Sequence, residues 1–387
     1  MDDPYFKREQ TRTKHFILKS YLQTLVYKLF QGGHRSLTYV DGFSGPWEAK
    51  TENFTDTSFM IAIDVLRNAH FKMISNGIPR TTKCFFVEKD PKAYALLAAA
   101  VQRFHSPERG FHIKTFNGKF ESATSEIIEY VGKSFALVFI DPTGWTGYTY
   151  ELIGPVLKHT PGEVLVNFMY DFVNRAAAMD DPKTIASLNP ILGGPGWKSR
   201  LQRDVPLGQE VERTFRNVLK QAGEYKYVLS TRIDKPTADR PHFCIAYGTR
   251  ASAGLKAFRE VEASALKGHH QLRAKAKQAK REIRTGQNEL FSSDLIPETS
   301  FEQIIEENSQ AAQKWIISLL KTRNSSIQFG VLVLQVLELF VLRETNVKDV
   351  CVRLAQDGLI DNTWKLASKN KPYDGSPITL SKARPTA

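Results

Sequence analysis

Four strand-like runs in this sequence end in residues able to do polar chemistry: Asp41-Gly42, Glu88, Asn117-Gly118 and Asp141-Pro142. Glu88 closes Cys84-Phe85-Phe86-Val87, where a carboxylate suits bidentate acceptance from a ribose diol; the blander reading is a solvated strand-end acid paired with Lys89. Asn117 can hydrogen-bond an adenine edge, although an ordinary Asn-Gly turn is the commoner role of such a pair. Asp141 and Pro142 close Phe135-Ala136-Leu137-Val138-Phe139-Ile140. A carboxylate and a backbone carbonyl held there accept hydrogen bonds from an exocyclic amine, localising its lone pair for attack on an electrophilic methyl. Trp145 and Tyr148 offer aromatic faces on which a base stacks; the blander reading has Asp141 capping the turn and Trp145 packing over a sheet.

Asp41 opens the stretch Asp41-Gly42-Phe43-Ser44-Gly45-Pro46, a strand end that turns tightly where a ligand could approach the backbone. Its glycines stand at i and i+3 without the third glycine of the dinucleotide fingerprint, and no G-x-x-x-x-G-K-[ST] occurs. On this stretch alone, a cofactor loop and a plain turn both stand. Other chemistries have less to rest on. Cys84 lies inside a strand run rather than beside the Asp141 loop, as a nucleophile for carbon methylation would need. His242 and His269-His270 lack the spacing of metal ligands, so no metal site is expected.

These residues need a scaffold that gathers strand ends, and the periodicity supplies one. Helical patterns over residues 10–30, 59–70, 91–104, 122–131 and 150–158 alternate with strand-like runs at 36–41, 83–88, 112–117, 135–140 and 162–168. Alternation of this kind makes a doubly wound parallel α/β sheet the economical fold. Residues 176–205, carrying Pro182, Pro190 and Gly193-Gly194-Pro195-Gly196, read as an irregular insertion with one or two short helices. A helix at 208–222 and two strands at 225–232 and 241–247 complete the sheet with a hairpin, and a last helix covers 253–265. In an open sheet of this class the strand ends named above are neighbours, and their joint pattern says more than any member.

The remainder divides by composition into a first domain over residues 1–266, a basic linker over 267–300 and a C-terminal module over 301–387. Helical patterns at 301–321, 327–342 and 346–357, then Gly358-Leu359-Ile360-Asp361 and a β-like tail with Ile378 and Leu380, resemble a winged helix. A net charge of +12 suggests a polyanionic partner. The basic run containing Lys275, Lys277 and Arg281 suits a phosphate backbone, or forms one solvated helix face. Three separated cysteines with no C-x-x-C, no signal-like N-terminus and no run of membrane-spanning length point to a cytoplasmic protein without a membrane association.

The order Asp-Gly-Phe-Ser-Gly-Pro, Val-Glu-Lys-Asp, Phe-Ile-Asp-Pro-Thr-Gly resembles class I S-adenosylmethionine-dependent methyltransferases. More closely, the chain is similar to the three-Cys-motif partner protein (TcmP) family. Its members carry a like Lys-His-x-Ile-Leu-x-x-Tyr-Leu helix (here Lys14 to Leu22), a D-G-F-A-G-P-G loop and an F-I-D-P-x-G strand end. The match runs over essentially the full chain, and the cysteines of the family name belong to a partner protein, not to Cys84, Cys244 and Cys351. The resemblance implies a Rossmann-like methyltransferase sheet with a helical, winged-helix-like module. It implies S-adenosylmethionine as cofactor, its methionine part at Asp41, Gly42 and Gly45, its ribose at Glu88, and an acceptor near Asp141 and Pro142. Two positions depart from the family pattern, Trp47 in place of the loop's final glycine and Lys119 in place of an acid; relative to amino-methyltransferases, Thr143-Gly144 replaces the second proline and the aromatic. The expectation is methyl transfer to a nucleic acid, DNA or RNA. The rival is a methyltransferase-like scaffold without catalysis, partner to a three-Cys-motif protein.

Overall fold

The computed structural model describes residues 3–6, 8–46, 49–285 and 301–381. Two compact units divide the chain, Met1–Ala251 with Lys275–Gln287 in one and Ser252–Ala274 with Asn288–Ala387 in the other.

In the first unit, helices and strands alternate as α1 (Glu9–Gln31), β1 (Ser36–Asp41), α2 (Ser58–Ser75), β2 (Thr81–Glu88), α3 (Pro91–Gln102), β3 (Phe111–Asn117), α4 (Thr124–Val131), β4 (Phe135–Ile140), α5 (Tyr150–Leu157) and β5 (Gly162–Phe168). Then follow α6 (Tyr170–Ala178), α7 (Pro182–Leu192), α8 (Leu207–Gly223), β6 (Tyr227–Asp234) and β7 (Pro241–Thr249). Helices restart soon after strands because capping residues wait there. Asp90 accepts the Ala93 N–H at 2.8 Å with Pro91 opening α3, and Thr149 accepts the Leu152 N–H at 3.3 Å to open α5.

The seven strands form one sheet in the order β3-β2-β1-β4-β5-β7-β6. β1 to β5 run parallel, while β7 lies antiparallel to both β5 and β6. This is a mostly parallel α/β sheet flanked by helices, compatible with a Rossmann-like fold. All of β4 is buried, as a central strand covered on both faces must be. The chain winds outward from β1 to β3 and then returns to β4 on the other side of β1, so the strand order reverses between β1 and β4. A crevice opens there at the carboxyl ends, and it gathers the polar strand ends.

Several stretches differ from expectation. The region expected to be an irregular insertion with one or two short helices does hold the end of α6 and the whole of α7, but it is packed, with Val173, Ala176, Leu188, Ile191, Leu192 and Trp197 in the core. Helix α9 (Ser252–Thr285) does not stop near Ala265 but runs through Lys267, so the described part of the expected basic linker is helical. Alanine, lysine and arginine are good helix formers, and buried His269 and Arg273 show that this segment has a packed side.

The second unit takes the first part of α9 with α10 (Phe301–Arg323), β8 (Ile327–Gln328), α11 (Phe329–Leu339), α12 (Glu344–Gln356) and β9 (Pro377–Ile378). The helix expected from residue 327 starts at Phe329 instead, because Ile327 and Gln328 pair antiparallel with Ile378 and Pro377. Leu332, Val333, Val336, Val347, Val350, Cys351, Leu354 and Trp364 make its core. Across it, Arg259 donates Nε to the Leu337 carbonyl at 2.7 Å and pairs with Glu262 at 2.5 Å. Among the described residues, no helix is long and apolar enough to cross a membrane.

Candidate functional site

Asp41 ends β1 with its carboxylate wholly buried. Oδ1 accepts the Phe43 N–H at 3.0 Å, and Oδ2 accepts the Ser58 hydroxyl at 2.7 Å and the Tyr39 hydroxyl at 3.3 Å. The loop above it is pinned on both sides: Gly42 donates its N–H to the Phe139 carbonyl at 3.0 Å and Ser44 to the Val87 carbonyl at 2.8 Å. Gly42 has to be glycine, since a Cβ there would lie 2.9–3.1 Å from atoms of the buried Phe120 ring. Burial pushes the Asp41 pKa up to about 6, opposed by the hydrogen bonds from Ser58 and Phe43 and reinforced by the charge of Asp141. Asp41 therefore shapes the loop from beneath, while Gly42, Phe43 and Gly45 line the cleft. Trp47 lies outside the described residues.

Glu88 ends β2, is only 2% exposed and lines the same cleft; its Oε1 accepts the Asp90 N–H at 2.7 Å. Asn117 does not line it. Its amide donates to the Glu88 carbonyl at 2.9 Å, tying the end of β3 to β2, and its successors Gly118 and Lys119 face the cleft instead.

On the other side of the switch point, Asp141 follows β4. Its Oδ2 pairs with Lys14 Nζ from α1 at 2.5 Å, and its Oδ1 accepts from Asn167 Nδ2, near the end of β5, at 2.6 Å. Pro142 and Trp145 line the cleft beside it, the indole donating to Ser187 Oγ at 3.0 Å. Tyr148 is buried, packed edge-on against Phe43 at 6.4 Å and Tyr150 at 5.6 Å, and burial pushes its hydroxyl pKa up. His242 and Phe243 of β7 close this side, with Lys14 Nζ 6.0 Å from the Phe243 ring centre. Desolvation, then the Lys235 charge, lowers the His242 pKa.

Together these residues surround a cleft of about 870 Å³, within the size range of small-molecule sites. Of the residues expected to act, it brings together Gly42, Gly45, Glu88, Asp141, Pro142, Trp145 and Tyr148. Asp41 stands behind it and Asn117 beside it. Lys275, Lys277 and Arg281 on α9 do not line it; Lys275 is exposed and Lys277 pairs with Asp239 at 2.8 Å. Among the described residues no group of three or more His, Cys, Asp or Glu is placed to hold a metal. Cys84 is buried in β2, where desolvation pushes its thiol pKa up and away from nucleophilic use.

Lys14, Asn167 and His242 were not among the expected site residues. Asn167 had a readable signal, a polar residue inside Val164-Leu165-Val166-Asn167-Phe168, a run otherwise apolar. Lys14 opens the Lys-His-x-Ile-Leu-x-x-Tyr-Leu helix, but nothing in the sequence tied it to Asp141, 127 residues away.

No family model matches the chain, and no curated protein does. Among solved structures, one similar chain is a Legionella pneumophila str. Philadelphia 1 protein of family DUF519. It is 13% identical over 66% of this chain and 92% of that one, with a TM-score of 0.38, too distant to carry an argument.

Proposed function

We propose that this chain is a class I S-adenosylmethionine-dependent methyltransferase that acts on an amino group of a nucleic-acid base. One observation carries the reading: a glycine loop after β1, a buried carboxylate after β2 and a carboxylate with Pro142 after β4 line one cleft at the point where the strand order reverses. The residues fit such a cofactor. Glu88 is a desolvated acceptor suited to a ribose diol, and Gly42 and Gly45 line the cleft where the methionine part would lie. When bound, S-adenosylmethionine would supply an electrophilic methyl, which an amine nitrogen would take as the S–C electrons pass to sulfur and its own proton goes to solvent. Asp141 and the Pro142 carbonyl orient the amine, and Trp145 gives the base a stacking face. The winged-helix-like reading of the second unit, with its β8–β9 ribbon, and the net charge of +12 agree with a nucleic-acid substrate.

A second reading has its own support. Lys14 and Asn167 already occupy the Asp141 carboxylate, and Thr143-Gly144 stands where amino-methyltransferases keep proline and an aromatic. On that reading the chain is a non-catalytic scaffold of the TcmP type, partner to a three-Cys-motif protein.

Calorimetry with S-adenosylmethionine and S-adenosylhomocysteine separates the two. The wild type binds both, and Glu88→Ala weakens each by about 10- to 100-fold, the loss of a charge-assisted hydrogen-bond pair. If neither ligand binds the wild type at about millimolar concentration, the enzyme reading is abandoned and the scaffold stands.

A further inference from the structure

Asn167 poses a problem that the clamp on Asp141 does not explain. The side chain is 3% exposed and lines the cleft, and its two polar atoms are in different situations. Nδ2 donates to Asp141 Oδ1 at 2.6 Å and approaches Met169 Sδ at 3.6 Å, whereas Oδ1 is buried with no hydrogen-bond partner. The orientation of the amide is forced. A carboxylate paired with the Lys14 ammonium only accepts, so the amide nitrogen must face it and the amide oxygen must face away. A buried acceptor without a donor is costly, and proteins rarely leave one unless something else supplies the donor. His242 Nδ1 is also buried, unpartnered and on the same cleft. An imidazole nitrogen can donate or accept, so it does not discriminate between ligands; the amide oxygen does.

We propose that Asn167 selects the methyl acceptor, its Oδ1 accepting a hydrogen bond from the exocyclic amine of a base, so that the site takes amino-bearing bases and refuses those presenting a carbonyl or hydrogen at that position. This rests on the methyltransferase reading and adds to it the residue that reads the substrate. Asp141 then holds Asn167 in register through the amide nitrogen, which leaves the amide oxygen, turned away from Asp141, to take the amine. A carbonyl placed at the same point would set two acceptors against each other, the arrangement that gives polar sites their sharpest discrimination.

The test compares matched nucleosides that differ by the amine alone, adenosine with purine riboside and cytidine with its 4-deamino analogue. Ligand-observed NMR titration follows them with and without saturating S-adenosylhomocysteine. In the wild type at least one amino nucleoside binds about tenfold or more tightly than its partner, a conservative figure for a site built around a polar contact. Asn167→Leu, nearly isosteric, removes that preference while S-adenosylhomocysteine affinity stays within about twofold. Equal binding within both pairs, no measurable nucleoside binding, or a preference that survives in a folded Asn167→Leu each overturns the proposal. The wild-type comparison needs no variant, so a misfolded mutant does not rescue it. Failure of S-adenosylhomocysteine to bind the wild type is a separate result, which removes the methyl-transfer reading; an amine preference seen without it would still assign Asn167 its role.

Discussion

Asp41 was expected at the cofactor's methionine part, and the structure sets its carboxylate beneath the loop, outside the cleft lining. The carboxylate is enclosed by Phe43, Ser58 and Tyr39 and organises the loop that faces the cleft. That enclosure has a consequence for stability, because its pKa stands at about 6 in the folded chain against an ordinary 3.8. A carboxyl whose folded pKa is raised favours folding in its protonated form. Its contribution is present below about pH 4, the unfolded value, and is lost as pH rises through about 6. An asparagine in its place cannot titrate; its oxygen can accept the Phe43 N–H, and its nitrogen can donate to the Ser58 and Tyr39 hydroxyls once these turn to accept. Asp41→Asn should therefore gain on the wild type by about 2 kcal/mol between pH 4.5 and 7, read from urea unfolding at both pH values. A stability difference that stays constant across that window would show that the fold leaves Asp41 close to its ordinary pKa.

At the scale of elements, the site exists because strands β1, β2 and β4 end within two residues of one another in register and the loop after β1 is held by backbone contacts to β4 and β2. Gly42 is the tightest of those junctions. A methyl group there meets the Phe120 ring at 2.9–3.1 Å, and Phe120, 1% exposed, has nowhere to go. Gly42→Ala should cost about 1–3 kcal/mol in urea unfolding. Combined with Phe120→Ala the two losses should fall short of their sum, because the truncated ring removes the clash; strict additivity would mean that the loop, and not the ring, absorbs the methyl. Junctions of this kind are what a sequence reveals well. The runs ending in Asp41, Glu88 and Asp141 announced both the strands and the acids, since a buried parallel strand must be continuously apolar and its first polar residue marks its end. The extent of α9 was not legible, because a Lys, Arg and Ala segment reads alike as linker or helix until its buried side, at His269 and Arg273, is known. Nor was the Lys14–Asp141 pair, which joins α1 to the end of β4 and leaves no pattern linking the two residues.

For the whole molecule, the net charge of +12 is a statement about partners only if part of it is gathered and unneutralised. The basic stretch of α9 is uneven in this respect. Lys275 is exposed, whereas Lys277 has a side chain only 18% exposed and already meets Asp239 at 2.8 Å. Counterion release depends on charges that reach phosphates, so these lysines should not count alike. With duplex DNA, the slope of log affinity against log salt should shrink by about 0.9 for each phosphate contact removed, and by about 0.7 with a single strand. Lys275→Ala should remove about one such contact, while Lys277→Ala, which mainly frees Asp239, should change the slope less. The triple change Lys275→Glu, Lys277→Glu, Arg281→Glu should weaken binding about tenfold or more at low salt and flatten the slope most. Fluorescence anisotropy across a salt series measures all three, with S-adenosylhomocysteine binding as the check that the cleft is intact. A triple variant that keeps both the wild-type slope and the ligand affinity would mean that this run is a solvated helix face and that any polyanion is held elsewhere on the protein.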